Sequence, residues 1–375
     1  MQQGERGETA LADPPAGAVA APAAPSPRRW TGLEIAMTVV IGALLIAAIA
    51  AGFASLYRGF WGPSAFAERY VQLIAEGRAA DALAVDGVAV DTAELEAAGL
   101  PASAHDALLR STALGYDLTD IHAVEERQVD GDTEVTVAYR IDGTTAESTF
   151  RISPSGWSGL VPAWSFARSP LAVVQVGVHG SMSFAVNGFE IDKRQVSPDG
   201  VDADPLAPVS LLAFAPGIYE VSVDTPTTAA EPQRALVDEP LTATAFDLQA
   251  APTPEFLDVV AEQVSSFLTG QCASQQVLQP AGCPFWVSLE NRLAAGTLPT
   301  WSVVQEPPIE LVPDGAYWRI AEASGLAHIE MDVQSIATGR ITHVSEDVPF
   351  TIDGTVEILA DGTAQIRIGA PLLEG

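Results

Sequence analysis

The sequence predicts an α+β protein carried on one transmembrane helix, and three observations support this. Residues 35–57 run without a charged side chain. Apolar stripes of helical period, entered through a proline and left through a glycine, occur after Pro63 and again after Pro254. Each is followed by period-two stretches punctuated by Asp-Gly pairs, the signature of antiparallel hairpins. Composition sets the outer bounds. Across 375 residues, 18 Lys+Arg stand against 48 Asp+Glu, a net charge of −30. That excludes a nucleic-acid binder, which needs clustered cations to displace counterions from phosphate. With 48% hydrophobic and 18% charged residues the chain is too apolar to be wholly disordered. Its length suits two or three domains.

Residues 1–31 contain Asp13-Pro14-Pro15 and the run Ala21–Pro27, with almost nothing bulky to bury, and read as a disordered tail. Residues 32–57 read as the transmembrane helix. The uncharged stretch from Ile35 to Tyr57 would rise about 34 Å, enough for the hydrocarbon core. Arg28, Arg29 and Trp30 flank one end and Tyr57, Arg58, Phe60 and Trp61 the other, with Glu34 at headgroup level. The competing reading is a signal peptide cleaved at Ala48-Ile49-Ala50, but the apolar run and its leader are long for one. No cysteine follows the run, so no lipoprotein anchor is expected. The basic residues near the two ends tie, Arg28 and Arg29 against Arg58 and Arg69. The tandem arginines lie closest to the membrane, and with the large polar region after the span and the close cysteine pair they favour a cytoplasmic N-terminus and an extracytoplasmic bulk at the cell membrane.

Residues 58–168 read as helices followed by a meander. Pro63 opens a helix with Phe66, Tyr70, Leu73 and Ile74 on one face, closed at Gly77, and a second helix is expected over Ser103–Ala113. Strands follow at Thr133–Ile141 and Thr144–Ile152, with turns at Asp130-Gly131 and Asp142-Gly143. Residues 169–250 lack a helical pattern. They alternate at Leu171–Val178, Ser181–Val186, Leu211–Val223 and Ala243–Leu248, with a turn at Asn187-Gly188, and predict a small β-sandwich. Residues 251–375 repeat the helix-then-meander order. Thr253 caps, Pro254 starts, Phe256, Val259, Val260, Val264, Phe267 and Leu268 form a core stripe, and Gly270 stops the helix. Strands are expected at Ala316–Ala321, Ala327–Ile336, Gly339–Ile352, Thr355–Leu359 and Thr363–Ile368, with turns at Asp314-Gly315, Asp353-Gly354 and Asp361-Gly362. The recurrence raises a domain duplication, although residue identity between the halves is low.

The two cysteines, Cys272 and Cys283, are expected to form a disulfide in an extracytoplasmic compartment. Two free thiols or a metal pair are the alternatives, and no His or further Cys lies nearby to complete a metal site.

The stretch Ala185-Val186-Asn187-Gly188, followed by Ala215-Pro216-Gly217-Ile218-Tyr219-Glu220-Val221-Ser222-Val223, resembles the small β domains called PEGA-like. The flanking regions are similar to cystatin-like or nuclear-transport-factor-like cone folds, a helix wrapped by a curved antiparallel sheet. With the span and Pro280-Ala281-Gly282-Cys283-Pro284-Phe285, the layout over most of residues 33–375 resembles that of membrane-anchored proteins of actinobacteria, known by architecture rather than activity. Seventeen of the 18 basic residues are arginine, with Lys193 alone, which fits a high-GC genome. The resemblance implies a fold and no reaction.

Candidate chemistry is sparse. His122 with Glu125 and Glu126, and His343 with Glu346 and Asp347, have metal-compatible types but read as solvated strand edges. The other histidines are His105, His179 and His328. Asp199, Asp202 and Asp204 lie near Gly200 without calcium-loop spacing. Gly156-Trp157-Ser158-Gly159 follows a strand and is not a nucleophile elbow. No phosphate-cradling glycine motif precedes a lysine. Trp157, Trp164, Trp286, Trp301 and Trp318 read as core or interface residues. The expectation is therefore a non-enzymatic envelope protein with no catalytic, cofactor or metal residue, whose ectodomain serves interaction or scaffolding with an unknown envelope partner. The alternative is a cone pocket for a small apolar, lipid or glycan ligand.

Overall fold

A computed structural model describes residues 32–159, 161–315, 317–359 and 364–368. The expected tail over residues 1–31 and the expected turn at Asp361-Gly362 lie outside the described residues. Two units divide at Tyr57/Arg58. In the first, helix α1, Gly32–Trp61, carries the Ile35–Gly52 segment, which is long and apolar enough to cross a membrane. Its Leu44, Ile46 and Ile49 are exposed. The helix runs past the expected end at residue 57, because nothing before Gly62-Pro63 breaks it.

The second unit is strand-rich. Helix α2, Pro63–Ala75, has its proline in the first turn, buries Ala67, Tyr70, Val71 and Ile74, and ends before Gly77 at φ +68°. Two short helices follow, α3 (Ala79–Leu83) and α4 (Thr92–Ala97), the latter capped by Asp91 accepting from the Glu94 N–H. The helix expected over Ser103–Ala113 is absent. Two 3₁₀ turns, Asp106–Leu108 and Ser111–Ala113, stand there instead. The reason is strand-like pairing at His105, whose N–H donates to Ser210 O at 2.9 Å and whose carbonyl accepts from Leu212 N at 2.8 Å. Extended backbone at that position breaks any helix through it.

Strands β1 (Leu118–Val129), β2 (Asp132–Ile141), β3 (Thr144–Ser158) and β4 (Val161–Phe166) form an antiparallel meander in sequence order. Its first two turns are the expected Asp-Gly pairs, with positive φ at Asp130, Gly131, Asp142 and Gly143. The space between α2 and this sheet is filled by Tyr70, Phe150 and Phe166, whose ring centroids are 5.0–5.9 Å apart.

The middle region comprises β5 (Leu171–His179), β6 (Ser183–Val186), β7 (Phe189–Asp192), helix α5 (Lys193–Val196), β8 (Val209–Phe214), β9 (Gly217–Asp224), β10 (Thr228–Val237), β11 (Ala243–Gln249) and β12 (Ala251–Pro252). Sheets ordered β12-β10-β9-β6-β7 and β11-β5-β8 contribute to one core that includes Val174, Val176, Phe184, Val221 and Phe246. The expected single run Leu211–Val223 is two strands, broken at Ala215-Pro216. Packing passes through residues 168/169 without a break. Leu171 and Phe214 belong to the core under α2, whereas Ala107, Leu108 and Ala113 belong to the sandwich core. Leu95 and Leu100 pack with Val173, Leu212 and Leu241. Strand β5 is therefore covered on both faces, and its apolar run reads as continuous rather than alternating. Tyr116 Oη donates to Pro216 O at 3.2 Å across the same junction.

In the last region, helix α6 (Pro254–Ser266) is capped by Thr253, whose hydroxyl accepts from Phe256 N. Val259 is 46% exposed and stands off the expected core stripe. Gly270 does not stop the helix, because a π-helical turn, Phe267–Cys272, carries through it to a fully buried Cys272. Cys272 and Cys283 are joined, with Sγ–Sγ at 2.11 Å. The sheet contains β13 (Arg292–Leu293), β14 (Thr300–Gln305), β15 (Leu311–Asp314), β16 (Tyr317–Gln334), β17 (Ile341–Ile358) and β18 (Ala364–Ile368). Its path is β13-β16-β17-β18, with β14 and β15 also on β16.

Strands expected as separate pairs are fused into two of 18 residues each. Asp353-Gly354 is therefore not a turn but part of the ladder, with Gly354 opposite Ile320 and Ile368. A Cβ there would lie 2.4 Å from Arg367 O, so the glycine serves close backbone approach. Gly325 plays a related part, its missing side chain replaced by the ring of the opposite Phe350.

Candidate ligand cleft

On β6, β7 and β9, alternate residues Phe184, Val186, Ile191, Val221 and Val223 enter the sandwich core. The intervening Ser183, Ala185, Glu190, Asp192, Ser222 and Asp224 therefore occupy the opposite face. After β9 the chain turns through Thr225–Thr228, where the Thr225 hydroxyl accepts from Thr228 N at 2.9 Å and holds the turn. Facing these are Trp318, Ile358 and Leu359 from the C-terminal sheet, and together the two walls enclose a cleft of about 700 Å³. Gly180 sets their approach. At φ +83°, a Cβ there would stand 2.7 Å from Trp318 Cζ2, so only glycine lets the indole seat against this end of β5.

The cleft wall holds one arginine fork. Arg194 donates through Nε to Asp192 Oδ1 at 2.8 Å and through Nη2 to Asp192 Oδ2 at 2.5 Å. That pairing lowers the Asp192 carboxyl below its ordinary value, mainly through the hydrogen bond from Arg194. Neutralisation leaves Glu190 and Asp224 as the remaining carboxylates, beside Ser181, Ser183, Ser222, Thr225, Thr227 and Thr228, of which Thr225 and Thr228 bond each other within the turn at 3.0 Å. The arrangement suits a polar ligand with many hydroxyl groups resting against a short apolar wall.

The neighbouring Lys193 points the other way and is fully buried. Its Nζ donates to Val178 O at 2.7 Å, Pro205 O at 2.5 Å and Ala207 O at 3.4 Å, clamping the 197–208 loop to β5. Burial pushes its pKa down to about 8, with the nearby Asp204 opposing. Of the acidic trio, Asp204 accepts from Leu206 N at 2.8 Å, and Asp202 ends the 3₁₀ turn Gly200–Asp202. No group of three metal-compatible side chains assembles among the described residues.

The other sequence candidates are dispersed. His122 Nδ1 lies 2.7 Å from Asp120 O on β1. His179 Nε2 lies 2.8 Å from Asp247 Oδ1, and His105 Nδ1 accepts from Ala107 N at 3.2 Å. His343 is not grouped with both Glu346 and Asp347. Its Nδ1 lies 3.0 Å from Asp332 Oδ1, whereas Asp347 pairs with His328 at 2.6 Å, and Glu346 is on the opposite face of β17. Ser158 ends β3, beside a Trp157 that is 73% exposed and so is not a core residue. Trp286, 58% exposed, also lies outside the core, whereas Trp301 and Trp318 are buried. A smaller cleft of about 460 Å³ lies beside α2, lined in part by Phe66, Leu73, Arg78 and Val85.

Sequence reasoning missed the cleft, whose hydroxyl residues are scattered over three strands and a turn. The available signal was the serine pair Ser181 and Ser183 after Gly180, together with the Thr-rich turn Thr225–Thr228. No protein-family model, curated protein or solved structure matches the chain.

Proposed function

We propose that this is a single-pass protein of the cell envelope whose extracytoplasmic part is an interaction module, and that it binds a polyhydroxylated ligand of the glycan class in the cleft between the sandwich and the C-terminal sheet. The cleft carries this reading, with serine and threonine side chains from β6, β9 and the turn after it, two carboxylates outside the arginine fork and a short apolar wall. Sugars present many donors and acceptors and one apolar face, and such a lining answers both. The apolar helix Ile35–Gly52 supports an anchor, and the cysteine pair supports an oxidising compartment. A cytoplasmic N-terminus, cone-like character of the two helix-plus-meander layers and an actinobacterial source belong to the same proposal. The proposed site is the cleft rather than a cone interior, because rings fill the space under α2.

The test is thermal unfolding of the detergent-solubilised full chain against a panel of neutral and amino-sugar oligosaccharides. A ligand at 100 times its Kd stabilises by about 2.7 kcal/mol, a shift of a few degrees. Ser222→Trp, which fills the cleft from its outward face, should abolish that shift. A flat response across the panel, or a shift that survives Ser222→Trp, refutes the reading.

A further inference from the structure

Away from the cleft, the face of β16 and β17 turned from the core brings serine, histidine and aspartate into one chain of contacts. His328 Nδ1 lies 2.6 Å from Asp347 Oδ1, and the Ser345 hydroxyl lies 3.0 Å from His328 Nε2. A carboxylate can only accept, so the proton in the first contact sits on Nδ1. In the neutral imidazole that leaves Nε2 as the acceptor for the Ser345 O–H.

Register explains why the three meet. The hairpin closes with Ser335 N donating to Arg340 O at 2.9 Å, and the ladder back from there is regular through His328↔Asp347. Alternation from the closing pair makes Asp332↔His343, Glu330↔Ser345 and His328↔Asp347 non-hydrogen-bonded pairs, the class in which side chains stand closest. In such pairs the β17 backbone N–H groups point away from β16. Strand β18 covers β17 only over residues 354–358, so among the described residues the edge beside Ser345 is open. The Ser345 amide N–H is thus available at that edge to an oxygen developing charge beside its own hydroxyl.

We propose that Ser345, His328 and Asp347 form a nucleophilic site that cleaves small neutral or cationic esters. Ser345 Oγ bonds to the ester carbonyl carbon as its proton passes to His328 Nε2. The tetrahedral oxyanion collapses, the bond from carbon to the alcohol oxygen breaks, and the alcohol leaves with the proton from Nε2. Water then attacks the acyl-serine, gives a proton to Nε2 and releases the acid, and that proton returns to Ser345 Oγ. Ester and water become acid and alcohol with no redox step. Asp347 is a positioning residue that holds the tautomer. Glu330, with Oε1 3.9 Å from Nε2, places a carboxylate beside the reacting atoms, which repels anionic esters.

The test uses the detergent-solubilised full chain, a tagged neutral fluorophosphonate and p-nitrophenyl acetate, with peptide mass spectrometry to locate the adduct. The fluorophosphonate should label Ser345, and acetate release should follow. Ser345→Ala should abolish both without lowering Tm, since the side chain is exposed. His328→Gln should slow labelling about 100-fold or more. Asp347→Asn should remove the downfield Nδ1–H proton resonance of His328 and slow labelling about 10-fold or more. Labelling elsewhere with Ser345 untouched, no labelling of a protein with native Tm, or an undiminished rate in His328→Gln each overturns the proposal.

Discussion

Lys193 gives a pH-dependent signature that can be worked from the structure. Its ammonium is buried among three carbonyls, and its pKa falls from 10.5 to about 8. The unfolded chain therefore binds more protons than the folded one between those values. Stability contributed through this group is lowest below pH 8 and rises as pH climbs toward 10.5. For one site with those two pKa values, the gain from pH 7.5 to pH 10 is about 2 kcal/mol. Other groups change over the same range, so the reference is Lys193→Met, which keeps the stem and removes the titration. Urea unfolding at half-unit steps of pH, with constant m, gives both curves. The difference in slope is the readout, because the offset between the proteins also contains the carbonyls left without a donor. Wild type should gain about 2 kcal/mol on the variant across the window. Parallel curves, or a wild type that loses ground, would refute the argument that desolvation outweighs the three carbonyl contacts.

Gly325→Ala should destabilise by about 1–3 kcal/mol in urea unfolding, because its Cβ would meet Phe350 Cζ at 2.4 Å; adding Phe350→Leu should recover part of the loss. Replacing both cysteines by serine reopens a loop with sequence separation 11 and should cost about 3 kcal/mol in the chain-entropy treatment. Intact mass should rise by two hydrogens on reduction of the wild type, and an unchanged mass would contradict the bond. On intact cells an impermeant maleimide should label Thr338→Cys and leave Ser26→Cys unlabelled; the reverse pattern would invert the proposed topology.

Local signals carried the helices and hairpins that depend on local chemistry. Pro63 and Thr253-Pro254 mark real helix starts, and Asp142-Gly143 and Asn187-Gly188 mark real turns, because positive φ at two successive positions is a local demand. Errors arose where a distant partner decides. His105 is drawn into strand-like pairing with the segment at Leu211, more than a hundred residues on, and this removes the expected helix. Asp353-Gly354 carries the same letters as a turn, but its glycine answers the crowding of Ile320 and the Arg367 carbonyl. Val259 has helical spacing and faces solvent all the same. The sites were less legible than the fold. Ser345 and Asp347 lie two apart, an ordinary strand spacing, and their histidine comes from another strand. The cleft needs Trp318 brought against Gly180, and neither residue announces the other.

The buried position of the sole lysine also governs how binding partners can be trapped. Amine-directed crosslinkers find no exposed ε-amine on this protein, so no lysine side chain can carry a link to a partner from the folded body. The 48 acidic side chains make carbodiimide coupling to a partner's amines the productive chemistry. Any acylation found at Lys193 would then record an opening of the 197–208 loop, which makes that single amine a reporter of local unfolding.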